Sequence, residues 1–151
     1  PRNEHAAKAV DHYATYKGPT EGFIEEVFLI EPLADLEGRT MILLRNAAGD
    51  IGSTIQWSTS QLPYLTIWKN TAAVKDGYLT GLEPSTGFPY NRSIEREHGR
   101  VPKLAPEQTR RFTLNVDLLE GREKVKEASE FIALIQAQQE AKINRKPLIV
   151  E

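Results

Sequence analysis

The sequence predicts a mainly β fold, an antiparallel β-sandwich with a C-terminal α-helix, and three observations carry that prediction. Short β-branched and apolar runs recur through the first two-thirds of the chain and are joined by turns, not by helical segments. One run, "RRFTLNVDLL", alternates strictly, with Phe112, Leu114, Val116 and Leu118 set against Arg111, Thr113, Asn115 and Asp117. Past residue 120 the apolar period lengthens to steps of three and four, the spacing of a helix.

The elements follow in order. Residues 1–20, "PRNEHAAKAVDHYATYKGPT", are polar with scattered aromatics and end on a Gly-Pro turn signal, so they are expected to form a lead-in loop. "GFIEEVFLIEP" and "RTMILLRN" are two apolar runs separated by "LADLEG", whose acids and glycine suit a turn, and they are expected to pair as a hairpin. "GSTIQWSTS" alternates Ile55 and Trp57 with Thr54, Gln56 and Ser58, the pattern of a half-buried strand. "YLTIWKN" and "GYLTGLEP" supply two further strands. The alternation of residues 111–118 predicts a strand with one face in the core and one in water. The sandwich part therefore spans residues 21–119. Over 120–151 a helix and tail complete the same domain, with Val125, Ala128, Ile132 and Ile135 forming an apolar stripe that packs on the sheet.

Composition narrows the function. A chain of 151 residues with 40% hydrophobic content suits one domain with its own core. A formal net charge of -2 lacks the basic footprint of a nucleic-acid binder, so no nucleic-acid partner is expected. Cysteine is absent, which removes disulfides, thiol nucleophiles and thiolate metal sites, and a cytoplasmic location is expected because this usage fits a reducing compartment. No apolar run reaches the roughly 18 residues of a membrane-spanning helix, so no membrane partner is expected.

Glu83 is the leading candidate for chemistry. It closes an apolar run and precedes Pro84, which pushes it toward extended geometry and fixes the direction of its side chain. The following loop, "PSTGFPYNRS", brings Ser85, Thr86 and Asn91, groups that can hold a polyhydroxylated ligand. A glutamate partly shielded from water becomes a better general base. The competing reading makes Glu83 the partner of Arg92 or Arg96 in a structural ion pair, and spacing alone does not separate the two. Trp68 and Lys69 in "TIWKN" fall on opposite faces of a regular strand; the indole can stack on a sugar ring and the lysine can hold an anion or hydroxyl, although a strand tryptophan is more often core. Arg92, Arg96 and Arg100, near Lys103, suit a phosphate, but the interleaved Glu95 and Glu97 favour mutual ion pairs. His5, His12 and His98 have no metal-ligand spacing, and neither a metal nor a cofactor is expected.

Taken together, "LPYLTIWKN", "GYLTGLEPSTGFPYNRS" and "GRVPKLAPEQTRRFTLNVDLL" resemble the C-terminal part of the aldose 1-epimerase-like proteins, the galactose mutarotase superfamily, and most closely its DUF4432 branch. The matching positions are Leu82-Glu83, Pro89 with Asn91, and the turn from Leu104 to Gln108, where "Pro-Glu-Gln" replaces the usual "Pro-Gly-Glu". The resemblance implies a large mutarotase-like sandwich with a carbohydrate site on one sheet. It also implies that Glu83 is the base that takes the anomeric hydroxyl proton. Beside that base, Trp68, Lys69, Asn91 and Arg92 are the candidate substrate contacts. The superfamily's acid is a histidine N-terminal to this region, and none of the three histidines here matches it. Whole members are about twice as long, so the chain is expected to be a C-terminal half, completed by a missing N-terminal half or by another copy in a homo-oligomer. Three functions follow: an enzyme interconverting sugar anomers or epimers, a non-catalytic carbohydrate-binding sandwich, or a structural half-domain. The expected ligand is a sugar or sugar derivative, phosphorylated or free.

Overall fold

A computed structural model describes residues 1–149. These form two compact units, each assembled from separate stretches of chain: residues 1–31 and 64–100 with the tail from Lys142 make the first, and residues 32–63 and 101–141 the second. The strands are β1 (Glu26–Ile30), β2 (Arg39–Arg45), β3 (Ile51–Ser58), β4 (Tyr64–Asn70), β5 (Leu79–Ser85) and β6 (Leu114–Glu120). The helices are α1 (Glu4–Ala7), α2 (Arg92–Glu97) and α3 (Arg122–Ala137), with single 3-10 turns at Val10–His12 and Val74–Asp76.

The first unit holds an antiparallel sheet of order β1-β4-β5. Phe28, Leu65 and Ile67 share one face by the two-residue period and are all buried. The N-terminal segment contributes to this core. Asn3 caps α1 through its Oδ1, which accepts from the Ala6 N–H at 2.9 Å, and Ala6 and Val10 are buried. The Tyr13 ring lies 6.1 Å from that of Phe28. Residues 1–20, expected as a loop, thus carry two short helical turns. Four residues are too few for a helical period to show in sequence. Pro84 sits within β5, which among the described residues is an edge strand of its sheet, the position where a residue without an N–H is tolerated.

The second unit holds an antiparallel sheet of order β2-β3-β6, and α3 packs on it. Gly52 shows which face the helix takes: a Cβ built there would lie 3.5 Å from Val125 Cγ2 and 3.1 Å from Leu43 Cδ1. Val125 and Ile135 are the buried positions of the helix, as its stripe predicted. Gly121 turns the chain from β6 into α3 at φ 100°, a conformation that favours glycine, and its N–H donates to Asp50 O at 2.8 Å.

Two expectations are corrected. β1 does not form a hairpin with β2; it pairs with β4, with Glu26 opposite Lys69 and Ile30 opposite Leu65. The turn signal in "LADLEG" serves a different local purpose. Asp35 Oδ1 accepts from the backbone N–H of Glu37 at 2.9 Å and of Arg39 at 2.8 Å, an Asx-type turn that launches β2. The hairpin forms instead between β2 and β3, through a tight turn in which the Gly49 N–H donates to Asn46 O and Gly49 takes φ 68°. The second correction concerns β6. Its alternation is real, but Phe112, Leu114, Val116 and Leu118 are exposed, Leu118 at 82%. Their face of the sheet lies opposite the one that α3 covers, so the apolar set is formed without being buried.

Candidate functional site

The site candidate lies on the first unit, on the sheet face opposite Phe28, Leu65 and Ile67, where Val27 and Thr66 are buried while Glu83 is exposed. Antiparallel register sets Thr66 of β4 against Glu83 of β5 and Trp68 against Gly81, with Val27 of β1 on the other side of Trp68. Directly paired positions bring their side chains to about 5 Å, and diagonal neighbours to about 7 to 8 Å. Glu83 and Trp68 are such diagonal neighbours on one face, separated by a residue without a side chain. The Glu83 carboxylate folds back over Gly81, its Oε1 occupying the space that a Cβ at position 81 would need. Glycine at 81 is therefore what permits this orientation.

Glu83 is exposed, and among the described residues it makes no ion pair and no side-chain hydrogen bond. The ion pair with Arg92 or Arg96 does not form. The acid that is paired in this region is Glu95. Its Oε1 accepts from Arg100 Nη2 at 2.7 Å, and its Oε2 accepts from Arg100 Nε at 2.8 Å and from the Phe88 N–H at 2.9 Å. Both side chains are shielded, at 5% and 9% exposure. The Arg100 hydrogen bonds hold the Glu95 carboxyl below the ordinary carboxylate range, helped by the Phe88 N–H, and Glu95 in turn raises Arg100. This pair pins the loop that follows β5. The loop passes so close that a Cβ on Gly87 would lie 2.9 Å from the Arg100 carbonyl oxygen. Ser85 Oγ adds a bond to Gly87 O at 2.7 Å, and the rings of Tyr64 and Phe88 pack 4.6 Å apart.

Trp68 is half-buried, and its Nε1–H donates to Glu25 Oε2 at 2.7 Å. Lys69 points to the opposite face and is buried. Its Nζ donates to Thr15 O at 2.8 Å and to His12 O at 3.2 Å, and lies 3.4 Å from Glu26 Oε2, with the Tyr16 and Phe28 rings at 5.1 and 5.5 Å. All three ammonium protons are thus directed inward, and the structure does not bring Lys69 to the Glu83 face. Asn91 caps α2, its Oδ1 accepting from the Ser93 N–H at 3.0 Å and Ser93 Oγ–H at 2.9 Å. Arg92 opens the first turn of α2 and is exposed. Among the five candidates, the sheet register unites Glu83 and Trp68; Asn91 and Arg92 stand on the loop and helix that follow.

His98 Nδ1 lies 2.9 Å from Ile94 O of its own helix, and His5 Nε2 lies 3.3 Å from Ile24 O. Among the described residues no group of three His, Cys, Asp or Glu side chains could hold a metal ion. Sequence reasoning missed Glu25. Its signal is its spacing from Val27, which places it two residues ahead on the face that Trp68 shares.

A family profile described as "Domain of unknown function (DUF4432)" matches residues 1–118. The chain belongs to the DUF4432 family. This DUF4432 chain is also similar to a solved structure, described as that of a "putative aldose 1-epimerase" from Klebsiella pneumoniae subsp. pneumoniae MGH 78578. The two share 42% sequence identity with a TM-score of 0.96. The match covers 100% of the DUF4432 chain and 39% of that protein, so the chain spans well under half the length of its relative. No curated protein matches it. The family and the mainly β, antiparallel class with a C-terminal helix are both as the sequence predicted.

Proposed function

We propose that the protein is carbohydrate-active, of the aldose 1-epimerase type, with Glu83 as general base and Trp68 as the ring that receives the sugar. The observation that carries this reading is the exposed, unpaired Glu83 carboxylate on the same sheet face as Trp68, with Gly81 giving that carboxylate room to fold back over the strand. The likeness to the Klebsiella protein supports it. Asn91 and Arg92, carried by the elements after β5, would meet the hydroxyl groups at the rim.

In this reading Glu83 accepts the proton of the anomeric hydroxyl as the C1–O5 bond opens, and the ring oxygen takes a proton from an acid. Rotation about C1–C2 and reclosure on the other face return both protons, so no net group is transferred. One general base contributes about 10² to 10⁴ in rate. We assign the acid to no residue of this chain.

The test is Glu83→Gln in the full-length protein, with anomer exchange followed by NMR and sugar binding by calorimetry. Binding is expected to stay within a few fold while the rate drops at least about a hundredfold. Equal losses in both would make Glu83 a structural residue. Saturable sugar binding by the unaltered protein, with exchange at the uncatalysed rate, would instead establish the non-catalytic carbohydrate-binding reading.

A further inference from the structure

Glu25 has no part in the chemistry proposed above, yet it holds the one polar atom of Trp68. The indole Nε1–H donates to Glu25 Oε2 at 2.7 Å, a charge-assisted contact between residues far apart in sequence. Glu25 lies just ahead of β1, and the two-residue period puts it on the face shared by Val27, Trp68 and Glu83. Gly81 opposite Trp68 brings no side chain of its own; the Glu83 carboxylate folds back over it, and Val27 stands on the other side of Trp68. Neither neighbour engages the indole N–H, and the Glu25 carboxylate adds the one restraint that does.

From this we infer that Glu25 is a positioning residue: it fixes the Trp68 ring and consumes its N–H, so that Trp68 offers a ligand an aromatic face and no hydrogen-bond donor. The inference rests on the proposed sugar site, and it sets the chemistry which that site reads at Trp68. A pyranose would be gripped there through its C–H surface, with hydroxyl recognition left to other groups. Sugars that present a continuous patch of C–H bonds on one face would be preferred over those whose hydroxyls interrupt it.

The experiment uses the full-length protein carrying ¹⁵N-labelled tryptophan, with Glu25→Ala, Glu25→Gln and Trp68→Phe, and D-galactose and D-glucose as probes. Trp68 and Trp57 each contribute an indole N–H signal, the first assigned by its loss in Trp68→Phe, and Trp57, whose Nε1–H donates to Leu62 O at 2.9 Å, serves as the internal reference. Glu25→Ala is expected to move the Trp68 signal and speed its exchange with water while the Trp57 signal stays. It should weaken sugar binding about threefold to tenfold, the effect of one lost orienting hydrogen bond, with little change in kcat. Glu25→Gln, which keeps an acceptor, should restore most of the affinity. Trp68→Phe keeps an aromatic face but gives Glu25 no N–H to hold, so it should weaken sugar binding at least as much as Glu25→Ala; adding Glu25→Ala to it should then cost nothing more. An unmoved Trp68 signal, or sugar affinity in Glu25→Ala equal to that of the unaltered protein, overturns the inference while leaving the sugar site intact. Failure of the unaltered protein to bind either sugar overturns the proposed function itself, and the ligand half of this inference with it, whatever the indole signals do.

Discussion

Replacing Glu95 with glutamine should destabilise the first unit by an amount that depends on pH in a defined direction. The substitution keeps an oxygen for the Phe88 N–H but leaves the Arg100 guanidinium without its counter-charge. Removing one partner of a fully buried pair costs about 3 to 5 kcal/mol. Here Arg92, Ser93, Arg96 and Glu97 around the pair are exposed, so solvent screening lowers the expectation to about 2 kcal/mol. For a chain of this size that corresponds to a drop in Tm of about 4 to 8 °C. The folded carboxyl of Glu95 lies below its ordinary value of 4.5, chiefly because of the Arg100 hydrogen bonds. Its contribution is therefore complete above that value and is lost as pH falls through the folded pKa, because the unfolded chain takes up the proton first. The difference between the unaltered protein and Glu95→Gln should be full at neutral pH and should shrink in acid. Urea unfolding followed by circular dichroism at a series of pH values measures it. A difference that is the same at neutral pH and about pH 3, or one below about 1 kcal/mol throughout, would refute the argument.

Two further substitutions separate stability from function. Lys69→Met strands the carbonyls of His12 and Thr15 and the Glu26 carboxylate, so it should cost about 2 to 4 kcal/mol in urea unfolding. Sugar affinity of the folded fraction should change little, and a selective loss of affinity at normal stability would place Lys69 in the ligand site after all. Gly81→Ala puts a methyl group where the Glu83 carboxylate now rests, and that carboxylate can swing away at small cost. Stability should change by less than about 1 kcal/mol, while anomer exchange, if Glu83 is the base, should fall about tenfold or more because its oxygen is redirected.

The sequence made the strands legible and the pairings less so. β3 and β6 lie in the runs whose alternation marked them, because a two-residue period is a local property of the chain. Which strand β1 joins is decided elsewhere, and an aspartate and a glycine before β2 look the same whether they close a hairpin or, as here, tie Asp35 to the N–H groups of Glu37 and Arg39. The exposed face of β6 teaches the same point about burial: Val116 and Leu118 announce an apolar face, and nothing in their spacing says what lies over it. At the candidate site, Pro84 marked Glu83 as a directed carboxylate. The opposite facing of Trp68 and Lys69 was also readable. That Lys69 is the inward one depends on His12 and Thr15, contacts made across half a hundred residues or so of chain, which no local pattern encodes. The step of two from Glu25 to Val27 was readable, but the β1–β4 pairing that brings Trp68 to Glu25 was not.

The way the two units share the chain bears on how the protein comes to be folded. The β2–β3 and β4–β5 pairs join strands that follow one another and can form as soon as they are synthesised. β1, however, must wait for β4 until β2 and β3 have been made, and β3 must wait for β6 until the first unit's β5 and α2 have passed. Contacts of such long sequence separation slow folding, because chain entropy is spent before they repay it. No single cut releases either unit as an unbroken fragment, and a chain arrested during synthesis after β3 would hold one finished hairpin and a β1 strand still lacking β4, whose unmatched N–H and C=O groups a chaperone or a neighbouring chain could meet.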